Sequence, residues 1–279
     1  MKPMRRIPSL VPAMMLVFAA SALLAGDLPP WSDTQGKGEP TIVLLHGAGS
    51  DRTLWDLMVP TLAKTHRVVR VELPGHGASP MIGAITVKEV ARAVDQALER
   101  QHVEQAILVG HSYGAWVALE EAVAHPKRAA AVAVIDMGSY TPQDSARTAA
   151  LGRYIEERYP SLVRAIFEVM STSPVESDSA VEQALRVPRD VLSAYLRDAW
   201  RTDLRDRIRE LEIPIHVIAA EGSWPVTQPW ERARHRFGYM TMGTAEGHRV
   251  TGSGHLIMRD QPDSLAALLL QIAKDLPKR

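Results

Sequence analysis

Nine consecutive residues, Ile107-Leu108-Val109-Gly110-His111-Ser112-Tyr113-Gly114-Ala115, place an apolar strand-like run, a G-x-S-x-G turn and the start of a helix in direct succession. A turn that passes from strand to helix within one residue forces the central residue into a strained backbone conformation. The positions two before and two after it must then lack bulk, and both are Gly. Ser112 is thrust out at the carboxyl end of the strand, and the helix behind it adds N–H donors and positive potential. A chain built around this turn needs a buried strand to leave and a helix to enter, which makes it an α/β protein.

The rest of the chain repeats that alternation. Continuous apolar runs fall at residues 41–45, 68–71, 106–109, 130–135 and 215–219, with a weaker one at 248–250. Runs apolar on both faces suit central parallel strands. Helical segments are expected at 53–63, 86–100, 113–124 and 262–275. In the second of these Thr86 can cap the start, and Val87, Val90, Ala91, Val94 and Leu98 share one face. Pro262 suits the first turn of the last. The expected architecture is a mostly parallel, doubly wound sheet with helices on both faces. Residues 27–139 and 210–279 form its core, with one short edge strand in the lead-in of residues 27–40. Residues 140–209 carry no strand signal and are interrupted by Pro160, Pro174 and Pro188. They read as a helical cap inserted after the strand that ends at Ile135, with a lid role.

The first 26 residues have the layout of a secretory signal peptide. Lys2, Arg5 and Arg6 precede an apolar run from Leu10 to Leu24, with small residues in Ala20-Ser21-Ala22 near its end and Ala25-Gly26 after it. The run is shorter than the roughly 20 apolar residues a membrane span needs. The expectation is an exported protein, periplasmic or secreted, with no stable membrane span after cleavage. Lys plus Arg and Asp plus Glu both number 32. That balance, without a block of like charge, argues against a nucleic-acid partner. Cysteine is absent, which removes a disulfide framework, a thiol nucleophile and a cysteine metal site.

Two glycine-bearing loops follow the first two apolar runs. His46-Gly47-Ala48-Gly49 can turn backbone N–H groups toward a ligand, and His46, preceding the turn, braces it. Glu72-Leu73-Pro74-Gly75-His76-Gly77-Ala78-Ser79 is a tight, shaped loop in which His76 is structural. Neither carries the Gly-Lys-Ser/Thr of a phosphate loop. Together with the turn at Ser112, and in this order and spacing, these segments resemble the His-Gly loop, the Leu-Pro-Gly-His-Gly-x-Ser loop and the nucleophile elbow of the α/β-hydrolase family. The resemblance covers nearly everything from Thr41 onward except the insertion. It implies an eight-stranded sheet, trimmed here at its first strands, and no required cofactor.

The resemblance also assigns roles. Ser112 is the nucleophile, and the N–H groups of Ala48 and Tyr113 form the oxyanion hole. The family's base comes late in the chain, on a loop before the last helix. Here that loop is Val250-Thr251-Gly252-Ser253-Gly254-His255, so His255 is the base in preference to His248, which lies on the strand. The acid departs from the pattern. The loop after residues 215–219 reads Ala220-Glu221-Gly222-Ser223, with Ser223 where an Asp is expected. Asp136, after the preceding strand, is the preferred substitute, since some lipases and dehalogenases of this fold carry their acid there. Glu221 is the second choice, and a triad without an acid is the third.

The chemistry expected is acyl transfer on a small to medium apolar ester or lactone. Tyr113, Trp116, Phe167 and Trp200 are each candidates for the pocket wall or for the core. A carbon–carbon bond hydrolase with the same triad and a non-catalytic binding protein on this scaffold are the alternatives. Epoxide hydrolases and haloalkane dehalogenases of the fold carry Asp where Ser112 stands, which argues against both.

Overall fold

The computed structural model describes residues 31–142 and 144–277; the expected export segment, residues 1–26, lies outside them. In chain order the elements are β1 (Ser32–Gln35), β2 (Thr41–Leu45), a 3-10 turn (Arg52–Trp55), α1 (Val59–Leu62), β3 (Val68–Val71), α2 (Val87–Arg100), β4 (Ala106–His111), α3 (Tyr113–Ala124) and β5 (Ala129–Ile135). There follow α4 (Ser145–Glu157), α5 (Tyr159–Phe167), α6 (Pro174–Arg186), α7 (Arg189–Ala199), α8 (Arg205–Ile208), β6 (Ile215–Ala220), α9 (Trp230–Arg236), β7 (Ala245–Val250), α10 (Ile257–Asp260) and α11 (Pro262–Asp275).

The strands form one seven-stranded sheet in the order β1-β3-β2-β4-β5-β6-β7. Only β1 runs antiparallel, against β3. Because successive side chains point to opposite faces, each apolar run feeds two cores. Val43, Leu45, Leu108, Val132, Val134, Val217 and Ala219 pack against α2, α3 and the helices that follow β5. Ile42, Leu44, Ile107, Val109, Ala131, Ala133, Ile135, Ile218 and Ala220 pack against α1, α10 and α11.

Helix α2 follows the sequence expectation. The Thr86 hydroxyl accepts from Glu89 N–H, and Val87, Val90, Ala91, Val94, Ala97 and Leu98 are buried along one stripe. Each larger member of that stripe contributes about 1.5–3 kcal/mol by leaving water. The helix expected at 53–63 is instead broken into a 3-10 turn and the short α1. Asp51 caps the turn, accepting from Thr53 N–H at 2.8 Å. Pro60 lacks an N–H and is tolerated only in a first turn, so a new helix must start at Val59. The weak strand expected at 248–250 extends from Ala245. It forms the sheet's edge, and its Glu246, Gly247, His248 and Arg249 are only partly buried or exposed, which hides its period in the sequence.

Among the described residues, α4 to α8 lie between β5 and β6 with no strand among them. The two ends of this excursion are tied together: Tyr140 and Asp203 form an antiparallel bridge, and Thr141 N–H donates to Thr202 C=O at 2.9 Å. Among the described residues no helix is long and apolar enough to cross a membrane.

Candidate active site

Strand β4 delivers Ser112 at its carboxyl end with φ 52° and ψ −121°, a left-handed conformation that L-residues avoid unless the surroundings impose it. The glycines on either side have a steric cause. A Cβ on Gly110 would stand 2.1 Å from Gly114 C=O, and one on Gly114 would stand 2.4 Å from Leu45 C=O. The elbow is thus packed backbone to backbone against β2. Ser112 N–H donates to Ile135 C=O at 3.1 Å, which ties the elbow to the end of β5 as well.

The loop after β2 is held by two histidines acting as acceptors. Leu73 N–H donates to His46 Nε2 and Gly49 N–H donates to His76 Nε2, each at 3.0 Å. The remaining ring nitrogens donate to Gly47 C=O and Pro74 C=O, respectively. These bonds require neutral rings. Burial keeps them neutral by lowering the His46 pKa to about 4 and the His76 pKa to about 3. The bracing and structural roles expected for His46 and His76 are what this geometry provides. Among the described residues the Ala48 and Tyr113 amides have no internal acceptor; Tyr113 follows Ser112 in the chain, and Ala48 lines the same cavity as Ser112.

His255 sits on the loop between β7 and α10, held from three directions. His111 Nε2–H donates to its carbonyl at 3.0 Å. Leu256 N–H donates to Met170 C=O at 2.8 Å, and Gly254 N–H donates to Asp260 Oδ2 at 2.7 Å. His255 Nδ1 meets Asp136 Oδ2 at 2.7 Å, with the Asp136 side chain almost fully buried. Its other nitrogen remains for the cavity it shares with Ser112.

Asp136 follows β5 with φ 48°, a second strained residue at the carboxyl edge of the sheet. Register explains its reach: Ile135 pairs with Ile218, so the residue after β5 lies beside the end of β6. There Ala220 N–H donates to Oδ1 at 2.9 Å and the Ser223 hydroxyl donates to Oδ2 at 3.0 Å. Glu221 is elsewhere, accepting from Gly252 N–H at 3.2 Å. The structure therefore brings Asp136 to His255, and Ser223, at the expected Asp position, to Asp136.

Ser112, His111, His255, Ala48 and Gly49 line a cavity of about 180 Å³. The excursion after β5 supplies the facing wall through Phe167 on α5, Met170, and Glu176, Ala180 and Gln183 on α6. At one side Arg259 donates to Glu176 at 2.8 and 3.2 Å. Of the four aromatic candidates only Phe167 reaches the wall. Tyr113 turns its hydroxyl to Asp198 at 2.6 Å, Trp116 Nε1 donates to Gly138 C=O, and Trp200 packs at the edge of the core.

Residues 42–268 match the model of the alpha/beta hydrolase family. The chain belongs to this family. One relative of this α/β hydrolase is a pimeloyl-[acyl-carrier protein] methyl ester esterase of Methylococcus capsulatus, 42% identical over 37% of this chain; the match spans only 39% of that esterase. The 2-succinyl-6-hydroxy-2,4-cyclohexadiene-1-carboxylate synthase of an Enterobacter species is 27% identical, over 86% of this chain and 95% of that one. Among solved structures, an enol-lactonase from Burkholderia xenovorans LB400 superposes with a TM-score of 0.76 at 18% identity, covering 88% of this α/β hydrolase and 96% of the lactonase, a likeness of fold.

His111, Ser223 and Asp260 were not legible as site residues in the sequence. Ser223 alone left a signal, as the residue standing where the usual acid would be.

Proposed function

We propose that this α/β hydrolase is a serine hydrolase that cleaves a carboxylic ester or lactone through an acyl-enzyme. The observation that carries the reading is the 2.7 Å contact between His255 Nδ1 and a buried Asp136 carboxylate, in a cavity that also exposes Ser112 at a strained elbow. With Nδ1 engaged, His255 Nε2 takes the Ser112 proton as Oγ attacks the carbonyl carbon. It then returns that proton to the leaving alcohol oxygen. The Ala48 and Tyr113 N–H groups hold the oxyanion. Water, deprotonated by the same nitrogen, releases the acid and restores Ser112. A cavity of about 180 Å³ is smaller than the several hundred Å³ usual for drug-sized ligands, so the substrate is small or enters only by its acyl end. The helices after β5 act as the lid.

Export forms part of the same proposal, on the strength of residues 1–26. The mature amino terminus, read by protein sequencing after fractionation, should fall after Ala22 or Ala25.

Labelling with a fluorophosphonate is the test. The wild type should label and hydrolyse a short-chain p-nitrophenyl ester, and Ser112→Ala should do neither. A well-folded wild type that does not label would leave the scaffold as a binding protein.

The end-to-end likeness to the Enterobacter synthase favours one second reading, in which the same three residues act on a carbon skeleton without ester cleavage. A transient acyl adduct on Ser112, seen by intact mass after ester addition, would argue against it.

A further inference from the structure

At the far edge of the sheet, three side chains converge that the site above does not use. His216 is the second residue of β6, and Glu246 and His248 lie on the edge strand β7. The parallel register pairs His216 with Glu246 and Ile218 with His248, so all three point to the same face, the one covered by α11. His216 Nδ1 stands 3.0 Å from His248 Nε2 and 3.8 Å from Glu246 Oε2, and the three donor atoms all lie within 4.8 Å of one another. The two rings are tilted by 37° with centroids 5.2 Å apart, so neither blocks the space between the nitrogens.

We propose that His216, Glu246 and His248 form a three-ligand site for a divalent ion of the zinc class. Two imidazoles and one carboxylate are a donor set such ions prefer. Metal–nitrogen bonds of about 2.0–2.1 Å in a tetrahedral shell put two ligand nitrogens about 3.3 Å apart, so the rings need to open by only a few tenths of an ångström. Glu246 is well exposed and can swing its carboxylate in; a water completes the shell.

Position gives the ion a role. Among the described residues strand β7 has a neighbour on one side only, and the chain leaving it carries His255. A bridge from β7 to β6 would fix that edge strand in register without touching the cavity. The other candidate cluster, Asp95, Glu121 and His125, is taken up by Arg128, which donates to both carboxylates.

The test uses the whole mature protein, stripped with EDTA and desalted. It is titrated with zinc chloride by calorimetry and with cobalt chloride by visible absorption. One ion should bind, with the visible bands of tetrahedral cobalt, and an excess a hundredfold over Kd should raise Tm by about 5 °C. His216→Gln and His248→Gln should each weaken binding by about tenfold or more. Glu246→Ala, an exposed change that leaves the fold intact, should weaken it by about tenfold. Equal affinity in wild type and Glu246→Ala, or in wild type and either folded histidine variant, would overturn the proposal. Should the histidine variants not fold, imidazole nitrogen shifts of the wild type decide. A zinc-bound protein in which His216 and His248 keep their free shifts has its ion elsewhere.

Discussion

Ser223 places a hydroxyl where a carboxylate is expected, and that hydroxyl donates to Asp136 Oδ2, the oxygen that His255 also meets. A hydrogen bond to a charged group contributes about 1.5–3 kcal/mol and fixes direction as well. Ser223→Ala should therefore slow ester turnover by about tenfold. An unchanged rate would mean that the Ser223 hydroxyl does not orient the carboxylate. Because Ser223 already reaches Asp136, a carboxylate grafted there lies near His255: Ser223→Asp should restore part of the activity lost in Asp136→Asn.

At the scale of elements, the elbow is held by contact between backbones and has no room for adjustment. A Cβ on Gly114 would meet the Leu45 carbonyl at 2.4 Å, and nothing flexible can yield. Gly114→Ala should lower stability by about 3 kcal/mol or prevent folding. Gly222→Ala, where a Cβ meets nothing within 4 Å, should fall within about 0.5 kcal/mol of wild type. Urea unfolding of both variants checks the pair, and equal stabilities would contradict the packing argument. The elbow was legible in the sequence because this steric demand leaves glycines at fixed spacing. Helix α2 was legible because its buried stripe has a clean period. The break at Val59 was written in Pro60, but the apolar spacing across residues 53–63 masked it. Strand β7 was the least legible, since an edge strand buries too little to show alternation. The partner of His255 depended on the register between β5 and β6, which no local pattern encodes.

Across the whole molecule, three buried histidines make the fold sensitive to acid. Burial lowers His46 to about 4, His76 to about 3, and His111 well below its ordinary value of 6.5. Neighbouring histidines add to the last two. His46 and His76 are neutral in the folded state between pH 6.5 and about 4, while the unfolded chain protonates them, and His111 acts in the same direction. The unfolded state therefore binds more protons in that window, and stability rises with pH there. The contribution of His46 and His76 is complete above pH 6.5 and is lost as pH falls toward 4, by about 1.4 kcal/mol per pH unit for each of these two rings. Urea midpoints should be level from pH 7 to 8 and drop steeply from pH 6 to 4.5. A flat profile through pH 5 would mean that these rings are not buried in the neutral form.

The proposed triad depends on which carboxylate serves His255. The direct measurement is kcat for a short-chain p-nitrophenyl ester with wild type, Asp136→Asn and Glu221→Gln, each checked for fold by circular dichroism. Asp136→Asn should lose several orders of magnitude in kcat, and Glu221→Gln should stay within about threefold of wild type. Near-wild-type turnover in Asp136→Asn, with collapse in Glu221→Gln, would contradict the triad of Ser112, His255 and Asp136.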